Sequence, residues 1–120
     1  MNEPEESPSE NGEEPPATAN GDERIVHFTR LLLDDDETTR WKAAEALGRT
    51  RDPAAVGPLI DTLWDEDARV RLKAAWALGR IGDPRARSPL QRLYRMERED
   101  AQEIIGEALA SITRALAGPR

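Results

Sequence analysis

At 120 residues the chain has room for one domain, and with no cysteine it can form no disulfide, thiolate nucleophile or Cys-based metal site. Hydrophobic residues make up 38% and aromatic ones 4%, with Ala and Leu dominating, which favours closely packed helices over a β-sandwich rich in Val, Ile and Tyr. The formal charge of −7 divides unevenly: Met1 to Glu23 carries eight acidic side chains and no Lys or Arg, while from Arg24 onward all 17 basic residues face the remaining 16 acidic ones.

The first segment, residues 1–21, mixes Glu, Pro, Ser, Asn and Gly with almost no apolar side chain. It cannot bury enough surface to offset the entropy of ordering, so a disordered acidic tail is expected ahead of a domain over 22–120. Glu3, Glu5 and Glu6 stand where a signal peptide would carry a basic flank, and no stretch is long and apolar enough to span a bilayer. The expected location is the cytoplasm.

The domain repeats. Shifted by 31 residues, RWKAAEALGRTRDPAAVGPL from Arg40 lies over RLKAAWALGRIGDPRARSPL from Arg71, with thirteen of twenty positions identical. Ile25, Phe28 and Leu32 fall under Val56, Leu59 and Leu63, and Ala108, Leu109 and Ile112 fall over Ala77, Leu78 and Ile81. Three units follow, about 21–51, 52–82 and 83–113. This predicts an all-α fold, a short solenoid in which each helical hairpin buries its apolar face against its neighbours.

In chain order, each unit reads as two helices. Asp52 and Asp83 are placed to N-cap the first helices, with Pro53 and Pro84 at the first helical position. Val56, Leu59, Ile60 and Leu63 then recur at helical spacing. Pro58 and Pro89 fall inside these helices and are expected to bend them. The second helices open after the acidic turns Asp34-Asp35-Asp36 and Asp65-Glu66-Asp67 and are expected to end at Gly48 and Gly79 as left-handed caps. Ala110 holds that place in the third unit, so its helix should run on to Gly118-Pro119.

The stretch DEDARVRLKAAWALGRIGDPRA resembles the HEAT-like repeat of the phycobilisome lyases, D-x-x-V-R-x-x-A-A-x-A-L-G-x-I-G-D-P. The match runs through Asp67, Val70, Arg71, Ala74, Ala75, Ala77, Leu78, Gly79, Ile81, Gly82, Asp83 and Pro84. The resemblance implies a right-handed superhelix with the Pro-containing helices outside and the V-R-x-x-A-A helices lining the concave side. Members of the wider family are mostly scaffolds and adaptors; others are bilin lyase subunits, DNA glycosylases or di-iron hydroxylases.

A di-iron site needs repeated His and Glu ligands, whereas this chain has the single His27, aligned with Pro58 and Pro89. The expectation is therefore no metal site, no cofactor and no catalytic residues. Arg69 to Arg98 holds nine basic residues against Asp83 and Glu97, a band that could face an anion such as nucleic acid. Arg40 and Arg71 are expected to pair with Asp36 and Asp67 on their own helices. Trp41 and Trp76 take variable positions that hold Glu elsewhere in the repeat, Glu103 and Glu45 or Glu107, while Trp64 is expected to pack at a helix end.

These residues give the expected reading. A non-catalytic interaction module contacts a protein partner through a concave face built from Trp41, Lys42, Glu45, Arg49, Leu72, Lys73, Trp76 and Arg80; the alternative is a nucleic-acid-binding protein, or a nucleic-acid- or bilin-acting enzyme subunit, that uses the Arg69–Arg98 band. The protein is expected as a monomer or homodimer, since three repeats are near the lower limit for a stable array.

Overall fold

The computed structural model describes residues 20–118; residues 1–19, where the acidic tail is expected, lie outside the described range. The elements in order are α1 (Gly21–Leu31), α2 (Glu37–Thr50), a 3-10 turn (Pro53–Ala55), α3 (Val56–Thr62), α4 (Ala68–Ile81), a second 3-10 turn (Pro84–Ala86), α5 (Arg87–Met96) and α6 (Glu99–Ala117). There is no strand among the described residues. The architecture is the short all-α solenoid that the 31-residue period predicts.

Local chemistry sets the helix starts. Asn20 opens α1 through a reciprocal box, its side chain accepting from the Glu23 amide at 2.8 Å while its own amide donates to Glu23 at 3.1 Å. Asp36 caps α2 by accepting from the backbone and hydroxyl of Thr39, and Asp67 caps α4 by accepting from the Arg69 amide. Asp52 and Asp83 accept from Ala54 and Arg85, as expected, although the turns they open are 3-10. Pro58 and Pro89 are third in α3 and α5, within the first α turn. An α-helix has no i−4 bond to lose there, so the expected bend is replaced by a handover from 3-10 to α.

The helices form two layers, α1, α3 and α5 on one side and α2, α4 and α6 on the other. The contacts between hairpins run mainly along the second layer, from α2 to α4 and from α4 to α6. Between the layers lies one core, with Leu47, Leu59, Leu63, Leu78, Leu90, Leu93, Ile105 and Ile112 fully buried. Burying each such side chain contributes roughly 1.5–3 kcal/mol. Ala43, Ala44, Ala74, Ala75 and Ala77 fill the space between the helices of the second layer.

Gly48 and Gly79 are not helix ends. α2 continues to Thr50 and α4 to Ile81, and the left-handed residues are Arg51 at φ 57° and Gly82 at φ 76°. Gly48 and Gly79 are instead buried points of contact. A Cβ on Gly48 would lie 2.7 Å from Cζ3 of Trp76 and 2.9 Å from the Ala77 Cα; one on Gly79 would lie 2.8 Å from the Ala108 Cα. Ala110 stands at the same position in α6, which runs to Ala117 with Gly118 as its cap.

The repeated arginines also differ from expectation. Arg40 does not pair with Asp36. Its Nε lies 2.8 Å from Asp65 Oδ2 and its Nη2 3.1 Å from Oδ1, while Nη1 donates to the carbonyls of Asp34 and Asp35. Arg71 likewise reaches Glu97 at 2.7 Å and the carbonyls of Asp65 and Glu66. Each arginine fastens the loop of its own hairpin to that of the next. Gln102 occupies this position in the last hairpin and donates to the Tyr94 carbonyl at 2.7 Å.

Two predictions follow from this packing. Gly79→Ala should lower the melting temperature although Ala is the better helix former by about 1 kcal/mol, because the backbone of α6 blocks the new methyl. Gly106→Ala, whose Cβ would meet only an ordinary 3.7 Å contact with Tyr94, should raise it. Arg40 is 8% exposed. Arg40→Met strands Asp65 and two loop carbonyls, and chemical denaturation should register a loss of about 3–5 kcal/mol.

Candidate functional site

The solvent side of the α2–α4–α6 layer carries the expected binding residues, and four of them form one stack. Without a Cβ at Gly48, the Trp76 indole lies directly over α2. Lys73 Nζ is 5.0 Å from the Trp76 ring and 5.4 Å from the Trp41 ring, so the ammonium sits between two indoles. The Arg80 guanidinium is 5.3 Å from Trp76, and its Nε donates to the Gly48 carbonyl at 3.2 Å. Cation–π contacts of this kind contribute about 0.5–2 kcal/mol each, the larger values where water is excluded.

The remaining four stand around this stack. Glu45 and Arg49 form an i,i+4 pair at 2.8 Å along α2. Lys42 is exposed on the same helix. Leu72 is half-buried and turns from the stack into a cleft of about 690 Å³ between α4, α5 and α6. That cleft also gathers Trp64, Met96 and Ile104, 42%, 71% and 41% exposed, none of which the sequence reading placed in a site. Trp64 was expected to pack; it stands open with Arg92 5.8 Å from its ring.

The basic band is divided. Arg69 pairs with Asp67, Arg71 with Glu97 and Arg85 with Asp83, at 2.7–3.1 Å. Side-chain hydrogen bonds from Arg69 and Arg85 hold the Asp67 and Asp83 carboxyls below their ordinary value of 3.8, and a side-chain hydrogen bond from Thr39 does the same for Asp36. The other cations are spread over both layers.

His27 is on α1, its ring edge-on to Phe28 at 5.1 Å, and its buried Nε2 has no hydrogen-bond partner. Among the described residues no three His, Cys, Asp or Glu side chains come together as a group that could hold a metal ion. The donor set of the described residues therefore does not fit a di-iron centre.

The family model of HEAT repeats matches residues 26–110. The chain belongs to the HEAT repeat family. No curated protein matches this HEAT repeat chain. Among solved structures it is similar to human deoxyhypusine hydroxylase in complex with glycerol, with a TM-score of 0.73 and 26% sequence identity. The similarity covers 84% of this chain and 36% of the hydroxylase chain, so the HEAT repeat protein spans about a third of that enzyme's length. This corrects the expectation of a non-enzyme, since a solved structure that matches 84% of this chain is an enzyme.

The three depressed carboxyls give a pH prediction. A carboxyl whose folded pKa lies below its unfolded value stabilises the fold above the unfolded value and loses that contribution as pH falls through the folded one. Melting temperature should therefore fall as pH drops below about 4. Replacing Asp36, Asp67 and Asp83 together by Asn, which still caps helices, should flatten that acid limb in a thermal scan against pH.

Proposed function

We propose that this HEAT repeat protein is a protein-interaction module that holds its partner against the α2–α4–α6 layer. The observation that carries the reading is the stack of Trp41, Lys73, Trp76 and Arg80 on the solvent side of that layer. Neither Lys73 nor Arg80 forms an ion pair with a carboxylate among the described residues. Indoles held rigid by flanking cations lose little entropy on binding, and Trp and Arg are the side chains that most often dominate protein interfaces. Lys42, Glu45, Arg49 and Leu72 extend the surface around them.

The contacts at Gly48 and Gly79 draw this layer together, which supports its being the concave one. The motif around Asp67 to Pro84 supports placing the repeats with the phycobilisome-lyase type. A cytoplasmic monomer or homodimer goes with this reading. A nucleic-acid partner fits less well, because three arginines of the basic band pair within the chain and the others are split between layers. The likeness to deoxyhypusine hydroxylase favours a second reading, in which the module is one part of a catalytic assembly.

Trp76 packs over Gly48, so Trp76→Ala disturbs folding as well as binding; charge reversal leaves the indole in place, and each variant is first checked for an unchanged melting temperature. Capture from the source lysate, with and without nuclease, compares wild type, Lys42→Glu/Lys73→Glu/Arg80→Glu and the outer-layer variant Arg87→Glu. The expected outcome is a nuclease-resistant protein partner retained by wild type and the outer-layer variant but depleted about tenfold or more by the first variant. Depletion by the outer-layer variant alone, or by nuclease, would overturn the reading.

A further inference from the structure

The helices end at two edges of the layers, and the edges differ in charge. The turns inside the hairpins gather Asp34, Asp35, Asp36, Asp65, Glu66 and Asp67 at one edge. The opposite edge, where one hairpin passes to the next, gathers Arg49, Arg51, Arg80, Arg85, Arg87 and Arg114, all of them exposed. This turn edge is tied together by Arg80 Nε, which donates to the Gly48 carbonyl at 3.2 Å, and by Arg85 Nη2, which donates to the Pro53 carbonyl at 3.4 Å. Most carboxylates nearby are engaged: Glu23 closes the box at Asn20, Asp52 and Asp83 cap the 3-10 turns, and Glu45 pairs with Arg49, which leaves Asp22. Among the described residues Arg51, Arg80, Arg87 and Arg114 form no ion pair with a carboxylate.

Helix electrostatics accounts for only some of these cations. Arg49, Arg80 and Arg114 stand in the last turns of α2, α4 and α6, where the helix dipole by itself favours a positive charge. Arg51 and Arg87 have no such support. Arg51 is left-handed at φ 57° in the register position that Gly82 takes one repeat later, a conformation that is costly for a side chain with a Cβ. Arg87 is the first residue of α5, at the end of a helix that attracts anions and disfavours cations. Two cations are thus kept where the energetics of the frame opposes them, which points to an anion beyond the described residues.

The chain itself supplies one. Its first fourteen residues hold Glu3, Glu5, Glu6, Glu10, Glu13 and Glu14 and no basic side chain. Their tether is at this edge, because Asn20 caps the N-terminus of α1, which lies beside the end of α2, and α1 touches the first 3-10 turn. Helices packed about 8–10 Å apart make the edge from α2 to α6 about 20 Å long. The extended chain from Asn20 back to Glu14 already reaches about 20 Å, so the glutamates can span it. A segment tethered this closely has an effective concentration on the order of millimolar, which lets several individually weak surface pairs hold it. We propose that residues 3–14 lie along the turn edge of their own chain, with their glutamates on Arg51, Arg80, Arg87 and Arg114. The proposal is independent of what the α2–α4–α6 layer binds, although a partner that takes Arg80 displaces the segment from it.

Because the chain has no cysteine, Ser9→Cys gives a single site for a nitroxide label on the full chain. In nuclear magnetic resonance spectra the amides of Arg49, Arg51, Arg80 and Arg87 should broaden strongly, and those of Asp35 and Glu66 at the far edge much less. Salt at about 1 M, where the screening length is about 3 Å, should abolish the broadening. So should the combined variant Glu3→Gln/Glu5→Gln/Glu6→Gln/Glu10→Gln/Glu13→Gln/Glu14→Gln. Arg51→Gly/Arg87→Gln removes a left-handed Cβ and a cation from a helix N-terminus, so it should fold at least as well as the wild type and still lose most of the broadening at Arg80. Broadening confined to the first turn of α1, spread evenly over both edges, or indifferent to salt and to the Gln variant overturns the proposal. Equal broadening in unlabelled, isotope-enriched chains mixed with labelled ones overturns it too, since the segment of one copy would then lie on another.

Discussion

The close approach of α4 to α2 and of α6 to α4 is the constraint on which the rest of the structure depends. At Gly48 and Gly79 the neighbouring helix comes so near that a single methyl would meet its backbone. This distance lets small alanines fill the space between helices, lets the Trp76 ring lie across α2, and brings successive loops within reach of one another's side chains. A wider spacing would leave cavities over those alanines, and cavities in a domain this small remove a large share of its stability.

Electrostatics then locks what packing has placed. Arg40 and Arg71 each leave their own acidic turn and join the loop ahead, so an interaction repeated in sequence becomes an interaction between repeats. The carboxylate differs, Asp65 for one and Glu97 for the other, because Met96 takes the aspartate's place in the third loop and the longer Glu97 supplies the charge. Gln102 stands at the same position on α6 and donates to the Tyr94 carbonyl within its own hairpin. Arg71 of the basic band is therefore part of the frame.

The site properties follow from asymmetry imposed on a nearly symmetric frame. The same register position carries Trp76 in one valley and Glu107 in the next, which closes the first and leaves the second open. The likeness to an enzyme shows that this kind of frame can house catalysis, while the described residues of this chain offer aromatic, cationic and apolar surface in place of converging metal donors.

The sequence by itself determined the fold class, the three units, the N-caps and most of the core, because those rest on spacing and on local hydrogen bonds that a helical period exposes. It also singled out Trp41 and Trp76, since a position that accepts Glu elsewhere in the repeat faces water, and Lys73 and Arg80, which stand within a helical turn of Trp76. Only the tertiary structure decided what Gly48 and Gly79 are for, because glycine at a helix end and glycine at a helix crossing look alike until the neighbouring backbone is in place. It alone decided the partners of Arg40 and Arg71, which lie 25 and 26 residues away, beyond any rule of local pairing. The exposure of Trp64, Met96 and Ile104 in one cleft belongs to the same class: they come from three different segments, and only the stacking of hairpins sets them around a common space.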